Sequence, residues 1–99
     1  MREDIYASSN HEIVVMLGRR FQNYRKRMKL TQKQLAELTG ISVFTVSAFE
    51  KGMGTGLSLT SFIGMMRAID QLEQLDALLP ELPESPRDLF EKQMKQKKQ

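Results

Sequence analysis

Cysteine is absent from this chain of 99 residues, which excludes disulfides and thiolate chemistry and is compatible with a reducing cytosol. Histidine occurs once, as His11, too few for a histidine metal cluster. No apolar run approaches the ~20 residues needed to span a bilayer. The opening Met1-Arg2-Glu3-Asp4-Ile5-Tyr6 carries no apolar segment of the kind a secretion signal needs. No strand-like alternation and no internal repeat is present, and the three prolines all fall late, at Pro80, Pro83 and Pro86. One histidine, no cysteine and no recognisable carboxylate pair leave no nucleophile–base constellation, so the chain is read as a non-enzyme without metal or cofactor. Ser8, Ser9 and His11 are neighbours, but a helix start accounts for them better. These absences describe a soluble, cytoplasmic, all-α protein of one small domain with a modest core.

What is present is charge of one sign in the right place. The net charge is only +3, but residues 13–36 hold Arg19, Arg20, Arg25, Lys26, Arg27, Lys29 and Lys33 with no acidic side chain. Residues 70–91 hold Asp70, Glu73, Asp76, Glu81, Glu84, Asp88 and Glu91 against Arg87 alone. A basic block of this kind suits a polyanionic partner, although by itself it describes an ordinary solvated helix face equally well.

Helical spacing organises the rest. Ser9-Asn10-His11-Glu12 has the form of a capping box. It should start a first helix over residues 10–28, whose stripe Val14, Leu17, Phe21, Tyr24 and Met28 faces the core. Gly18 weakens that helix by about 1 kcal/mol relative to alanine, for no reason visible in the sequence. Thr31 caps a second helix over residues 32–38, Gly40 ends it in a left-handed turn, and Ser42 caps a third over residues 43–51. Neither short helix would stand alone in water, so Leu35, Val46 and Phe49 must form a seam between them, with the small Ala36 allowing a close crossing. Gly52-Met53-Gly54-Thr55-Gly56 reads as a flexible link: a phosphate-binding loop would need a Gly-Lys-Ser/Thr ending, and a dinucleotide site a preceding strand. Ser58 caps a fourth helix with Leu59, Phe62, Ile63, Met66 and Ile69 on one face, and Met65 and Met66 as core filler. Leu72, Leu75 and Leu79 form a further stripe, and the fourth and fifth helices could be separate or run together over residues 58–79. The prolines then stop regular structure. Ser85-Pro86-Arg87-Asp88 has the form of a new helix start, leading into a short helix over residues 86–94 with Leu89 and Phe90 available for packing and a fraying tail over residues 93–99.

A helix, a glycine turn and a second helix is the arrangement that reads DNA. Leu30-Thr31-Gln32, Leu35-Ala36, Gly40-Ile41-Ser42, Val46 and Phe49-Glu50-Lys51-Gly52 stand in an order and spacing that resembles the Cro/CI-type helix-turn-helix, the lambda-repressor-like or Xre-like family. The resemblance runs from about residue 25 to residue 69. It implies a compact five-helix DNA-binding domain over residues 13–79, with an N-terminal extension over residues 1–12 and a proline-containing tail over residues 80–99 that holds the extra short helix. Where Asp70 stands, the family usually has glycine, which leaves the break after the fourth helix open.

The resemblance also implies roles. Val43, Phe44 and Ser47 occupy base-reading positions, with Thr45 and Ala48 nearby. Their chemistry offers no Arg, Asn or Gln for bidentate pairing. Val43, Phe44 and Ala48 can touch thymine methyls, and Ser47 and Thr45 can bond almost any base. Phe44 could equally fold back onto the protein or meet a partner. Gln32 matches the family's phosphate-contacting glutamine, and Lys33, Lys51, Arg19 and Arg20 are candidate phosphate contacts. Arg25 and Glu50 stand where the family places a buried ion pair. The expected partner is double-stranded DNA, read as a homodimer on two half-sites, with Leu72, Leu75, Leu78, Leu79 and Leu82 as apolar material for an interface. The function that follows is a transcriptional regulator, read as a repressor. Two alternatives stand beside it: a HipB-like antitoxin that also binds a toxin protein, and a protein-interaction module reusing the fold.

Overall fold

The computed structural model describes residues 4–54 and 56–97. The readings that touch Met1, Arg2, Glu3, Thr55, Lys98 and Gln99 lie outside the described residues. A 3-10 turn at Ile5–Ala7 precedes six helices: α1 (Asn10–Arg27), α2 (Gln32–Thr39), α3 (Val43–Glu50), α4 (Leu59–Ala68), α5 (Leu72–Leu78) and α6 (Pro86–Lys97). No strand occurs among the described residues.

The helix starts follow from local hydrogen bonding. At α1 the Ser9 hydroxyl accepts from the Glu12 amide at 3.0 Å, and the Ser9 amide donates back to the Glu12 carboxylate at 2.9 Å. Thr31 and Gln34 make the same reciprocal box at α2, and Ser42 and Ser58 accept from the Thr45 and Ser61 amides. Each cap satisfies amides that the first helical turn leaves without partners.

The helix ends are just as regular. After α1 the amides of Lys29 and Leu30 donate to the carbonyls of Lys26 and Arg25. After α4 those of Asp70 and Gln71 donate to Arg67 and Met66. Both are Schellman motifs, and both place a non-glycine residue in the left-handed region, Lys29 at φ 59° and Asp70 at φ 61°. The question left open at Asp70 is thus answered. α4 stops at Ala68 and α5 is a separate helix, because Asp70 adopts the turn that glycine would have supplied.

The core consists of Phe21 from α1, Leu35 and Ala36 from α2, Val46 and Phe49 from α3, and Met65 and Ile69 from α4 and its cap, with Leu30, Ile41, Leu57 and Phe62 packed around them. Phe49 is its centre. Its ring meets Phe21 at a centroid distance of 5.6 Å and Phe62 edge-on at 6.0 Å, geometries that aromatic quadrupoles favour.

Gly18 acquires its reason here. A Cβ at that position would stand 2.0 Å from the Phe49 carbonyl oxygen, so only glycine lets the backbones of α1 and α3 cross this closely. The crossing corrects the expected α1 stripe. The buried line is Gly18, Phe21 and Arg25; Leu17, Tyr24 and Met28 remain exposed. The α4 stripe shifts as well. Leu59 is exposed and Met66 only half-buried, while Met65 is fully buried. The glycine loop is also more than a flexible link. Gly52 closes α3 at φ 85°, and a Cβ on Gly54 would come within 2.6 Å of the Phe49 ring.

The last helix departs most from expectation. α6 runs to Lys97 rather than ending near residue 94, so regular helix replaces the fraying expected over most of residues 93–97. Leu89, Phe90 and Met94 stay exposed instead of packing. With α6 standing off, the radius of gyration is 18.8 Å, against roughly 13 Å for a compact chain of this length.

A helix-turn-helix braced by a buried ion pair

The geometry of the turn is set by a few local bonds. Gly40 sits at φ 73°, a left-handed conformation that costs glycine nothing sterically, and its amide donates to the Ala36 carbonyl. Thr39 folds its hydroxyl back to donate to the Leu35 carbonyl at 2.8 Å, and the same oxygen accepts from the Ile41 amide at 3.2 Å. Thr39 therefore stitches the end of α2 to the first residue of the turn. Sequence reading passed over it, although threonine one residue before a helix-ending glycine is a local signal.

Beneath the turn, α1 is tied to α3 by Arg25 and Glu50. The Arg25 Nε donates to Glu50 Oε2 at 2.7 Å and Nη2 donates to Oε1 at 2.8 Å, a bidentate pair whose side chains are 8% and 1% exposed. Arg25 Nη1 donates to the Leu30 carbonyl at 2.7 Å. Hydrogen bonding to Glu50 and, secondarily, its charge hold the Arg25 guanidinium above its ordinary pKa, against the opposing effect of burial. Gln32 joins the group, its Nε2 donating to Glu50 Oε1 at 3.1 Å. Three helices thus meet at one carboxylate. No buried side-chain nitrogen or oxygen is left without a partner among the described residues.

The outward face of α3 is apolar at its tip. Phe44 is 82% exposed and Val43 43% exposed, so Phe44 points to solvent and does not fold back. Thr45, Ser47 and Ala48 are half-buried, and the Thr45 hydroxyl lies 2.8 Å from that of Ser42. Lys51 and Lys33 are exposed near the two ends of the motif, and Lys33 shares a shallow concavity with Ser42 and Val43. Arg19 is exposed on α1. Arg20 instead lines a groove between α1, α4 and α5, on a different face of α1 from the one that packs on α3. Gln32 is half-buried, with one amide hydrogen committed to Glu50 and its carbonyl oxygen making no bond among the described residues.

Two short capped helices joined by a left-handed glycine, with the second helix presenting its N-terminal turn to solvent, define a helix-turn-helix protein. A family model described as helix-turn-helix matches residues 21–73. The chain belongs to this Cro/CI-type, Xre-like family of DNA-binding regulators, and its fold is lambda-repressor-like. No curated protein compared with it matches. No helix among the described residues is long and apolar enough to cross a membrane.

Proposed function

We propose that the chain is a cytoplasmic, homodimeric repressor that lays α3 in the major groove and reads two half-sites about one helical turn, ~34 Å, apart. The observation that carries this reading is the exposure of Val43 and Phe44 at the leading turn of a helix whose opposite face is locked by Arg25 and Glu50. A rigid, outward apolar tip suits thymine methyl groups. Ser47, Thr45 and Ala48 lie behind it and set how closely the helix approaches the base edges. Lys33, Lys51 and Arg19 would contact phosphates. The amide of Gln32, steadied by Glu50, would present its free carbonyl and second N–H at the start of α2, where unpaired backbone amides also favour phosphate. Arg20 would contribute through its field, since it opens onto another face. The domain would comprise residues 13–79, with residues 1–12 as an extension and residues 80–99 as a tail.

The test is fluorescence anisotropy with a duplex from the protein's own upstream region and a scrambled duplex, at about 50 and 200 mM salt, a span over which phosphate-driven affinity falls steeply. Tight binding with a clear preference for the upstream duplex is expected. Equal, salt-sensitive binding to both would transfer specificity to a partner and favour the antitoxin reading, in which a toxin protein co-purifies. Phe44 is exposed enough to serve a protein-interaction module instead. Phe44→Ala separates the two: it should weaken DNA binding with the fold intact if α3 reads DNA, and leave DNA binding unchanged if it does not.

A further inference from the structure

Between α1, α4 and α5 the chain leaves a half-open groove of about 250 Å³. Leu17 and Tyr24 of α1 line it while remaining exposed, and Phe62 and Met66 of α4 line it half-buried. The α1 side follows from helical spacing: Leu17 and Tyr24 share one face, and α3 crosses on the side of Gly18, so that face stays open. The polar lining is Arg20 with Gln71 and Gln74. Arg20 forms no ion pair among the described residues, and the Gln71 side chain makes no capping bond to α5. The local charge is positive. α1 bears no acidic residue after Glu12, and α4 bears Arg67 and no acid. Asp70 and Glu73 flank Gln71 and Gln74 in sequence, but neither lines the groove or pairs with Arg20. An apolar, ring-rich slot with a few polar groups is the usual form of a small-molecule site.

We propose that this groove binds a small aryl carboxylate, with its ring system against Tyr24, Phe62 and Met66 and its carboxylate on the Arg20 guanidinium. An unpaired arginine is the side chain best suited to hold a carboxylate, through two parallel hydrogen bonds. The aromatic lining favours a flat ring over an alkyl chain, since ring pairs gain beyond the area they bury. Resting on the DNA-binding reading above, the bound acid is an effector. Phe21 and Phe62 both line the groove, and both meet Phe49 of α3, at centroid distances of 5.6 and 6.0 Å. A ligand that fixes these two rings therefore acts on the seat of α3. The groove contains no residue of α2 or α3, so the acid acts through Phe49 and leaves the tip of α3 uncovered. Any change it makes in DNA affinity must be matched by an equal change that DNA makes in its own affinity.

The test is titration of the full chain, carrying 13C-methyl methionine, with 2-naphthoate and with its neutral isostere 2-naphthamide. Met66→Leu assigns the groove resonance, and Met53, exposed in the loop after α3, is the internal control. A saturable ring-current shift of the Met66 methyl with 2-naphthoate is expected, with Met53 unmoved. The amide should bind at least tenfold more weakly, and Arg20→Gln should weaken 2-naphthoate by roughly tenfold or more, as loss of one charge-assisted contact does. No saturable shift, equal binding of acid and amide, or an unchanged Arg20→Gln overturns the site. A Met66 resonance that moves with protein concentration alone also overturns it, by showing the groove covered by a second copy. DNA anisotropy is then repeated with and without saturating 2-naphthoate, where a change in affinity of about fivefold or more is expected. An unchanged affinity overturns the effector role but leaves DNA binding standing. Because the methyl shift is read on the protein alone, a chain that binds 2-naphthoate and no DNA refutes the DNA reading, and with it the effector role, without touching the site.

Discussion

Substituting Gly18 by alanine sets two physical effects of opposite sign against each other. Helix propensity alone favours alanine by about 1 kcal/mol, so an α1 packed by its outer stripe would become more stable. The crossing with α3 reverses that. The new Cβ would meet the Phe49 carbonyl oxygen at 2.0 Å and its carbonyl carbon at 3.1 Å, where real Cβ contacts essentially never fall below 3.0 Å. The obstacle is backbone, which cannot rotate away, so α1 and α3 must separate. That separation loosens Phe21 on Phe49 and stretches the Arg25–Glu50 bonds. Overpacking of this kind costs about 3 kcal/mol at the upper end of its usual range. Less the gain in propensity, the net loss is about 2 kcal/mol, or a fall in Tm of roughly 8–16 °C for a domain of this size. Gly64, within α4, is the control: a Cβ there meets nothing within 4 Å, so Gly64→Ala should stabilise by about 0.5–1 kcal/mol. Urea and thermal unfolding followed by far-UV circular dichroism measure both. If Gly18→Ala shifts the midpoint upward together with Gly64→Ala, the close crossing of α1 and α3 is wrong.

Three further perturbations probe other parts of the fold. Asp70→Gly relieves a non-glycine residue at φ 61°, worth about 1–2 kcal/mol, against about 0.5–1 kcal/mol of extra chain entropy that glycine loses on folding, so a net gain of about 0.5 kcal/mol is expected; a loss of more than about 1 kcal/mol by the same unfolding assay would mean that the Asp70 side chain makes a compensating contact. Glu50→Ala strands Arg25 among buried groups and should cost about 3–5 kcal/mol, and a loss below 1 kcal/mol in urea unfolding would mean that Arg25 escapes to water. In the α1 cap, the Ser9 amide and then the Ser9 hydroxyl bond hold Glu12 below the ordinary carboxylate pKa. Its contribution to stability is therefore complete above the unfolded-state pKa and is lost as pH falls through the lower folded value. The stability difference between wild type and Glu12→Ala should vanish in acid and be full at neutral pH. A difference that grows on acidification would contradict the capping box.

What could be read from the sequence was what depends on neighbours in the chain. The caps at Ser9, Thr31, Ser42 and Ser58 each bond an amide three residues on, so residue type and spacing suffice to locate them. Gly40 ends α2 for a reason internal to glycine, and a seam of Leu35, Val46 and Phe49 follows from two helices too short to stand alone. The membership of the DNA-reading family rests on the same contiguous stretch. Tertiary structure decided what depends on residues far apart. Gly18 looks like a defect in α1 until Phe49, thirty-one positions later, is laid across it. The stripe Leu17–Tyr24–Met28 has helical spacing but no say in which side α3 approaches, so periodicity could not show that it stays open. Gln32 matches a phosphate contact by position, yet only the fold brings it to Glu50. Asp70 could have continued a helix or ended it; two backbone hydrogen bonds and the burial of Ile69 beside it determine that it ends one. Local chemistry chose the helices and their limits, and the approach of distant backbones chose which of their faces remain free to meet DNA or another chain.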